Sequence, residues 1–242
     1  MTKTSGPSEF GAALHSLPTL ICAATSWEAL PIVKALHLKA ASAHSFFGKF
    51  GGRSILLLKT GIGEEALRKT LATLPHGVLF SRVISTGFCG ALKRNVCSSD
   101  IICDLGTDNA AAMEICRQIA AIQKKNVHFG SFAHSSIVLA SPDLKKSLAE
   151  SSGSLAVDME TAPLRAWAKE TLPTVEIWGV RAVLDNLDDR LPQGLPQNEN
   201  LLAHSFYALS RPGDWPLFLQ IYLKQKKAAR ALAQFLSQLI EK

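Results

Sequence analysis

A chain of 242 residues with 47% hydrophobic content carries enough apolar material for one substantial core, and a single domain spanning 1–242 is expected. The five cysteines, Cys22, Cys89, Cys97, Cys103 and Cys116, form no CxxC pair and no Cys/His metal spacing, and their number is odd. This argues against a disulfide framework and a metal site, and for a reducing cytoplasm. The net charge of +6 comes from scattered basic residues, apart from Lys145-Lys146 and the run Lys224, Lys226, Lys227, Arg230. Such a pattern reads as solvated helix faces, against a nucleic-acid partner, and leaves peripheral contact with an anionic membrane surface open.

Residues 1–10 are polar, with Gly and Pro, and lack the apolar core of a signal peptide; residues 1–17 are expected to be flexible. No window reaches the roughly 18 apolar residues that would span a bilayer. Four apolar runs bounded by turn formers, 19–24, 54–59, 82–86 and 176–184, predict buried strands. Between them the pattern predicts helices over 28–35, 64–74, 109–123 after an Asp108 cap, and 162–170. Residues 127–140 read as two further short strands. Residues 193–200, with Pro and Gly, form the best loop or lid, and 216–240 predict a long helix with Leu217, Ile221, Leu232, Leu236 and Leu239 near one face. Strand and helix alternate, so the class is α/β.

Three carboxylates stand where a strand or turn ends, the usual place for sites in open α/β sheets: Glu28, Glu160 and Asp185. Taken singly, each also fits a first-turn acid or a strand-end turn residue. Four motifs surround them in order: Thr60-Gly-Ile-Gly63, Ser85-Thr-Gly-Phe-Cys-Gly-Ala-Leu92, Val157-Asp-Met-Glu160 and Val180-Arg-Ala-Val-Leu-Asp185. In this order and spacing, over roughly residues 20–190, the chain resembles the nucleoside phosphorylase and methylthioadenosine/adenosylhomocysteine nucleosidase superfamily.

That resemblance implies a three-layer α/β/α phosphorylase/hydrolase-like fold with a mixed central sheet, a homodimer, and no cofactor. It implies Asp185 as the general acid that protonates purine N7 and Glu28 as the base for an attacking water. Glu160 beside Met159 would hold the ribose hydroxyls, and Gly61, Gly63, Thr86, Gly87, Phe88 and Asp158 would contact substrate. The chemistry is coherent, because glycoside cleavage builds positive charge on the sugar and negative charge on the departing purine.

Hydrolysis or phosphorolysis turns on an anion site, which needs Arg or dense N–H donors. Related bacterial phosphorylases place an Arg and a hydroxyl where Ser85 and Phe88 stand, and the loop Ala24-Thr-Ser-Trp-Glu28 offers a carboxylate instead of an Arg. Water is therefore the expected nucleophile. Two departures stand out. The residue before the general acid is commonly Ser in the nucleosidases and is Leu184 here, and Pro163 falls in the first turn of a helix, where proline is tolerated.

Trp27-Glu28, Asp185-Asn-Leu-Asp-Asp-Arg-Leu-Pro192 and Arg211-Pro-Gly-Asp-Trp-Pro216 resemble the hopanoid-associated branch, which removes adenine from adenosylhopane, with futalosine hydrolase as its sister. A lipid-linked nucleoside is one reading of the apolar cluster around Phe206, Tyr207, Trp215, Leu217, Phe218 and Ile221, and core packing is the other. Arg181 fits substrate contact or a structural ion pair equally. Phe88, Phe132 and Trp27 could stack on the base or pack in the core, and Cys89 reads as a small buried residue. A catalytically inactive nucleoside-binding protein and a membrane-surface protein are the non-enzyme alternatives; the first need not keep Glu28 and Asp185 together, and the second explains the basic C-terminal helix but not the four ordered motifs.

Overall fold

The computed structural model describes residues 17–106, 109–192 and 210–242. In chain order the elements are β1 (Thr19–Ala23), α1 (Ser26–Ala35), β2 (Lys39–Ala40), β3 (Ser45–Phe50), β4 (Arg53–Lys59), α2 (Gly63–Leu71), β5 (Arg82–Ala91) and β6 (Ile101–Asp104). They continue with α3 (Ala110–Gln123), β7 (Val127–Phe129), β8 (Phe132–His134), α4 (Pro142–Ser152), β9 (Ala156–Asp158), α5 (Thr161–Thr171), β10 (Glu176–Asp185) and α6 (Trp215–Glu241).

β1 shows how the layers arise. Successive side chains of a strand point to opposite faces. Leu20 and Cys22 join Leu67 and Leu71 of α2 and Leu164 of α5 in one core cluster. Ile21 and Ala23 join Ala29 and Ile32 of α1, Cys116 and Ile119 of α3, and Leu232 and Phe235 of α6 in another. A strand apolar on both faces needs helices on both sides, and the result is the expected three-layer α/β/α arrangement.

The sheet runs β2-β3-β4-β1-β5-β10-β6-β7, with β9 on β5 and β8 on β9. β4, β1, β5 and β10 are mutually parallel, whereas β3 and β6 run antiparallel to their neighbours β4 and β10, so the sheet is mixed. The parallel strands end on the same side, and there the three carboxylates gather.

Several local expectations change. β5 continues through Ala91, where the sequence suggests a glycine turn after Thr86, because Gly87 at φ 147° keeps the chain extended. Of 127–140, Val127–Phe129 and Phe132–His134 form strands but Ile137, Val138 and Leu139 do not. Asp108 and the lid residues 193–200 lie outside the described residues; Asn109 caps α3 by accepting from the Ala112 N–H at 3.3 Å. Helix α4 was missed, although Ser141 accepts from the Leu144 N–H at 3.3 Å, Pro142 opens it and Gly153 closes it at φ 67°. The edge pair β2 and β3, β6 and β9 were missed too. Among the described residues no helix is long and apolar enough to cross a membrane.

Candidate active site

Glu28 sits in the first turn of α1, just beyond the end of β1. Its Oε2 accepts from the Thr25 N–H at 2.8 Å and the Thr25 hydroxyl at 2.9 Å, forming a capping box that starts the helix. Its Oε1 crosses to β5 and accepts from the Phe88 N–H at 2.7 Å. The two oxygens of a carboxylate offer about four acceptor directions, so roughly one remains for a further donor. Burial pushes the Glu28 carboxyl above its ordinary value, while Arg181 and the three hydrogen bonds pull it back.

Arg181, on β10, is fully enclosed. Its guanidinium meets Asp158 Oδ2 at 2.5 Å and Glu160 Oε2 at 3.4 Å, and donates to the Ser85 hydroxyl at 3.0 Å and the Phe88 carbonyl at 3.2 Å. Burial alone would lower its pKa, but Asp158, Glu160 and Glu28 together hold it above its ordinary value. Arg181 is therefore the structural ion pair of the two roles its sequence position allows. It is the hub that ties β5, β9 and β10 together beneath the site.

Glu160 stands at the residue before α5, and its carboxylate accepts from the Gly63 N–H at 3.2 Å, which links it to the start of α2. Burial raises its carboxyl to about 7, with Arg181 opposing and Glu28 and Asp158 adding to the rise. Asp158 is committed to Arg181 and to the Thr161 hydroxyl, so its carboxylate works mainly inside the framework.

Asp185 closes β10. The β5/β10 register breaks between Val183 and Asp185, and the break sets Asp185 opposite Gly90. Its Oδ2 is ion-paired with the ammonium of Lys145 on α4, a side chain only 1% exposed. Burial raises the Asp185 carboxyl and Lys145 partly offsets the rise. Lys145 has no role in the sequence reading, where it counts only as half of the basic pair Lys145-Lys146.

Glu28, Phe88, Asp158, Met159, Glu160 and Asp185 line one cavity of about 230 Å³, together with Lys145 and an apolar wall of Ile62, Ile137, Val138, Leu139 and Leu191. Gly61, Gly63, Thr86 and Gly87 do not line it. Gly63 acts through its N–H on Glu160, and Thr86 is buried and donates to the Val180 carbonyl at 2.8 Å. Gly61, at φ 82°, turns the chain into α2 where a Cβ would meet the Ala66 methyl at 2.8 Å. Of the three aromatic candidates Phe88 lines the cavity, Phe132 packs beneath Gly179, and Trp27 points outward to meet Tyr222 edge-on at 6.0 Å. Burial raises the Cys89 thiol well above its ordinary value, in keeping with an inert buried residue. Among the described residues lining the cavity, four are carboxylates and Lys145 is the one cation. No group of three His, Cys, Asp or Glu is placed to hold a metal ion among the described residues.

A second cavity of about 260 Å³ shares Leu184, Asp185 and Leu191 with the first and is closed by Leu217, Ile221 and Lys224 of α6. The far half of α6, from Ala228 to Ile240, is core, whereas Trp215, Leu219, Tyr222 and Leu223 are exposed. The apolar cluster read from the sequence thus divides; Phe206, Tyr207 and Leu209 lie outside the described residues.

No family model and no curated protein sequence matches this chain. Solved structures do. Futalosine hydrolase of Helicobacter pylori superposes with a TM-score of 0.69 at 14% identity, covering 93% of this chain and 97% of that one. The methylthioadenosine/adenosylhomocysteine nucleosidase of Streptococcus pneumoniae, bound to a transition-state inhibitor, gives 0.68 at 18% identity over 93% and 99%. The adenosylhomocysteine nucleosidase of Streptococcus pyogenes gives 0.68 at 19% identity over 93% and 97%. The chain has their fold. At these identities the likeness speaks to architecture, and the chemistry rests on the residues of the cavity.

Proposed function

We propose that the chain is a purine nucleosidase that uses water to cleave the N-glycosidic bond of a 5′-modified adenosine. The observation that carries this reading is the single cavity lined by both Glu28 and Asp185, with carboxylates where a phosphate would need cations. Four acids around one tied lysine repel a multiply charged anion and suit a neutral nucleophile.

The step balances as follows. The bond between purine N9 and ribose C1′ breaks with its electron pair passing to the base, and Asp185 delivers a proton to N7. A water oxygen bonds to C1′ and its proton passes to Glu28, which keeps an open acceptor direction for it. Glu160 accepts hydrogen bonds from the 2′ and 3′ hydroxyls and fixes the ring between the two. Proton exchange with solvent restores both carboxyl groups. No cofactor is required.

The apolar wall of Ile62, Ile137, Val138, Leu139 and Met159, and the adjoining cavity under Leu217 and Ile221, support an apolar 5′ substituent. Adenosylhopane is the substrate this favours, with contact at an anionic membrane surface through Lys226, Lys227 and Arg230; a cytoplasmic homodimer is the form proposed. Futalosine or methylthioadenosine/adenosylhomocysteine hydrolysis is the second reading, favoured by the fold comparisons. Chromatography of free base released from adenosylhopane, futalosine, methylthioadenosine and adenosylhomocysteine tests both. Release from none of them removes the nucleosidase reading.

A further inference from the structure

Lys145 is a buried lysine that the sequence pattern did not single out and that the step above does not use. An ammonium has three N–H donors and no acceptor. Here the ammonium donates to the Asn186 carbonyl at 2.7 Å and the Asp189 carbonyl at 3.0 Å, and it is ion-paired with Asp185 Oδ2. The ammonium is thus held as a cation by two carbonyls and one carboxylate of the protein. It lies beside the acid, buried in the wall of the cavity.

We propose that Lys145 is the positioning residue for the general acid: its ammonium fixes which oxygen of Asp185 carries the transferable proton and stabilises the carboxylate that transfer leaves behind. The proposal rests on the reading of Asp185 as the acid. Because Oδ2 lies against the ammonium, a proton on Asp185 belongs on Oδ1, the oxygen left for the base to approach. As that proton passes to N7, negative charge appears on Asp185 beside a fixed cation that needs no reorganisation.

The other groups facing Asp185 are few. Asp189 follows it in the turn, with its Oδ2 accepting from the Asn186 N–H at 2.7 Å and pairing with Lys224 of α6 at 2.5 Å, so those two charges largely cancel. From β5 the neighbour is the neutral, buried Cys89 thiol. Lys145 on α4 is the cation in direct contact.

The experiment is the pH dependence of kcat for Lys145→Met and Lys145→Arg, on the substrate the wild type turns over, with Asp185→Asn measured alongside. Asp185 must be protonated to act, so activity falls as pH rises through its pKa. Removing the cation raises that pKa. Lys145→Met is expected to move the alkaline limb up by about one pH unit or more and to lower kcat by about ten-fold or more, as expected for a weaker acid. KM should change little, and Lys145→Arg should keep the limb near its wild-type position. Should Lys145→Met fail to fold, Lys145→Gln serves the same comparison, since its amide keeps two N–H donors for the Asn186 and Asp189 carbonyls without the charge. A lower kcat with an unmoved alkaline limb would reduce Lys145 to a tie for the turn and overturn the proposal. Near-wild-type activity of Asp185→Asn would instead remove the acid assignment itself.

Discussion

The Phe88 N–H donates to Glu28 Oε1 at 2.7 Å, and Gly87 is what allows it. A Cβ on Gly87 would lie 2.3 Å from that oxygen and 2.8 Å from Arg181 Nη1, at a φ of 147° that side chains rarely adopt. Gly87→Ala should therefore displace Glu28 and Arg181 together. We expect kcat to fall by about 10²-fold, in line with small misplacements of catalytic groups, and stability to fall by roughly 1–3 kcal/mol. Steady-state kinetics with thermal melting checks both; wild-type turnover in the variant would detach Glu28 from the reaction.

Asp185→Asn should abolish base release and leave the fold intact, because an amide cannot deliver the proton the departing purine needs. General acids contribute about 10²–10⁴-fold, so retention of more than about a tenth of wild-type kcat would contradict the assignment. Circular dichroism of the variant separates this loss from unfolding.

Turnover should proceed in phosphate-free buffer and yield the free sugar. The physical reason is the acid-lined cavity, beneath which Arg181 is buried and spent on Asp158, Glu160, Ser85 and the Phe88 carbonyl. A sugar 1-phosphate product with strict dependence on added phosphate would show that phosphorolysis is the reaction.

Glu160 should make stability depend on pH in a way that Glu160→Gln removes. Its folded pKa is about 7 against an ordinary value of 4.5. A raised carboxyl binds its proton more tightly in the folded state, so its contribution is full below about 4.5 and is lost as pH rises through about 7. At pH 8 and above, the glutamine variant should be the more stable protein by about 3 kcal/mol or less, and near pH 4 the advantage should vanish. Chemical denaturation at the two pH values measures this; equal differences at both would mean Glu160 is not held protonated by burial.

A preference for long 5′-alkyl adenosines over short ones is the expected signature of the apolar wall. Each buried methylene contributes about 0.8 kcal/mol, so kcat/KM should rise several-fold per added carbon until the wall is filled. Leu217→Ala with Ile221→Ala should flatten the dependence if the second cavity holds the chain. No chain-length dependence in the wild type would return the reading to a small 5′ group.

The alternation of the main strands and helices and the carboxylates at strand ends were legible in the sequence, the three layers were implied by the family resemblance, and β2, β3, β6, β9 and α4 were not read. Hydropathy pattern is a local property: a run such as 19–23, apolar on both faces, suits a strand covered on both sides. The four ordered motifs, and the family they resemble, also set Glu28, Glu160 and Asp185 apart from other acids. What it left open depended on groups far apart in the chain. Arg181 could be assigned as a structural hub only once Asp158, Glu160, Ser85 and Phe88 were seen around one guanidinium. Lys145 reads as surface charge beside Lys146, and only the packing of α4 against the end of β10 buries it on Asp185. The break in register between Val183 and Asp185, which sets the acid opposite Gly90, likewise arises from pairing between two strands. A side chain's charge state and partners depend on the solvent that tertiary packing removes, so the sequence determined which residues were available and the packing decided which of them work together.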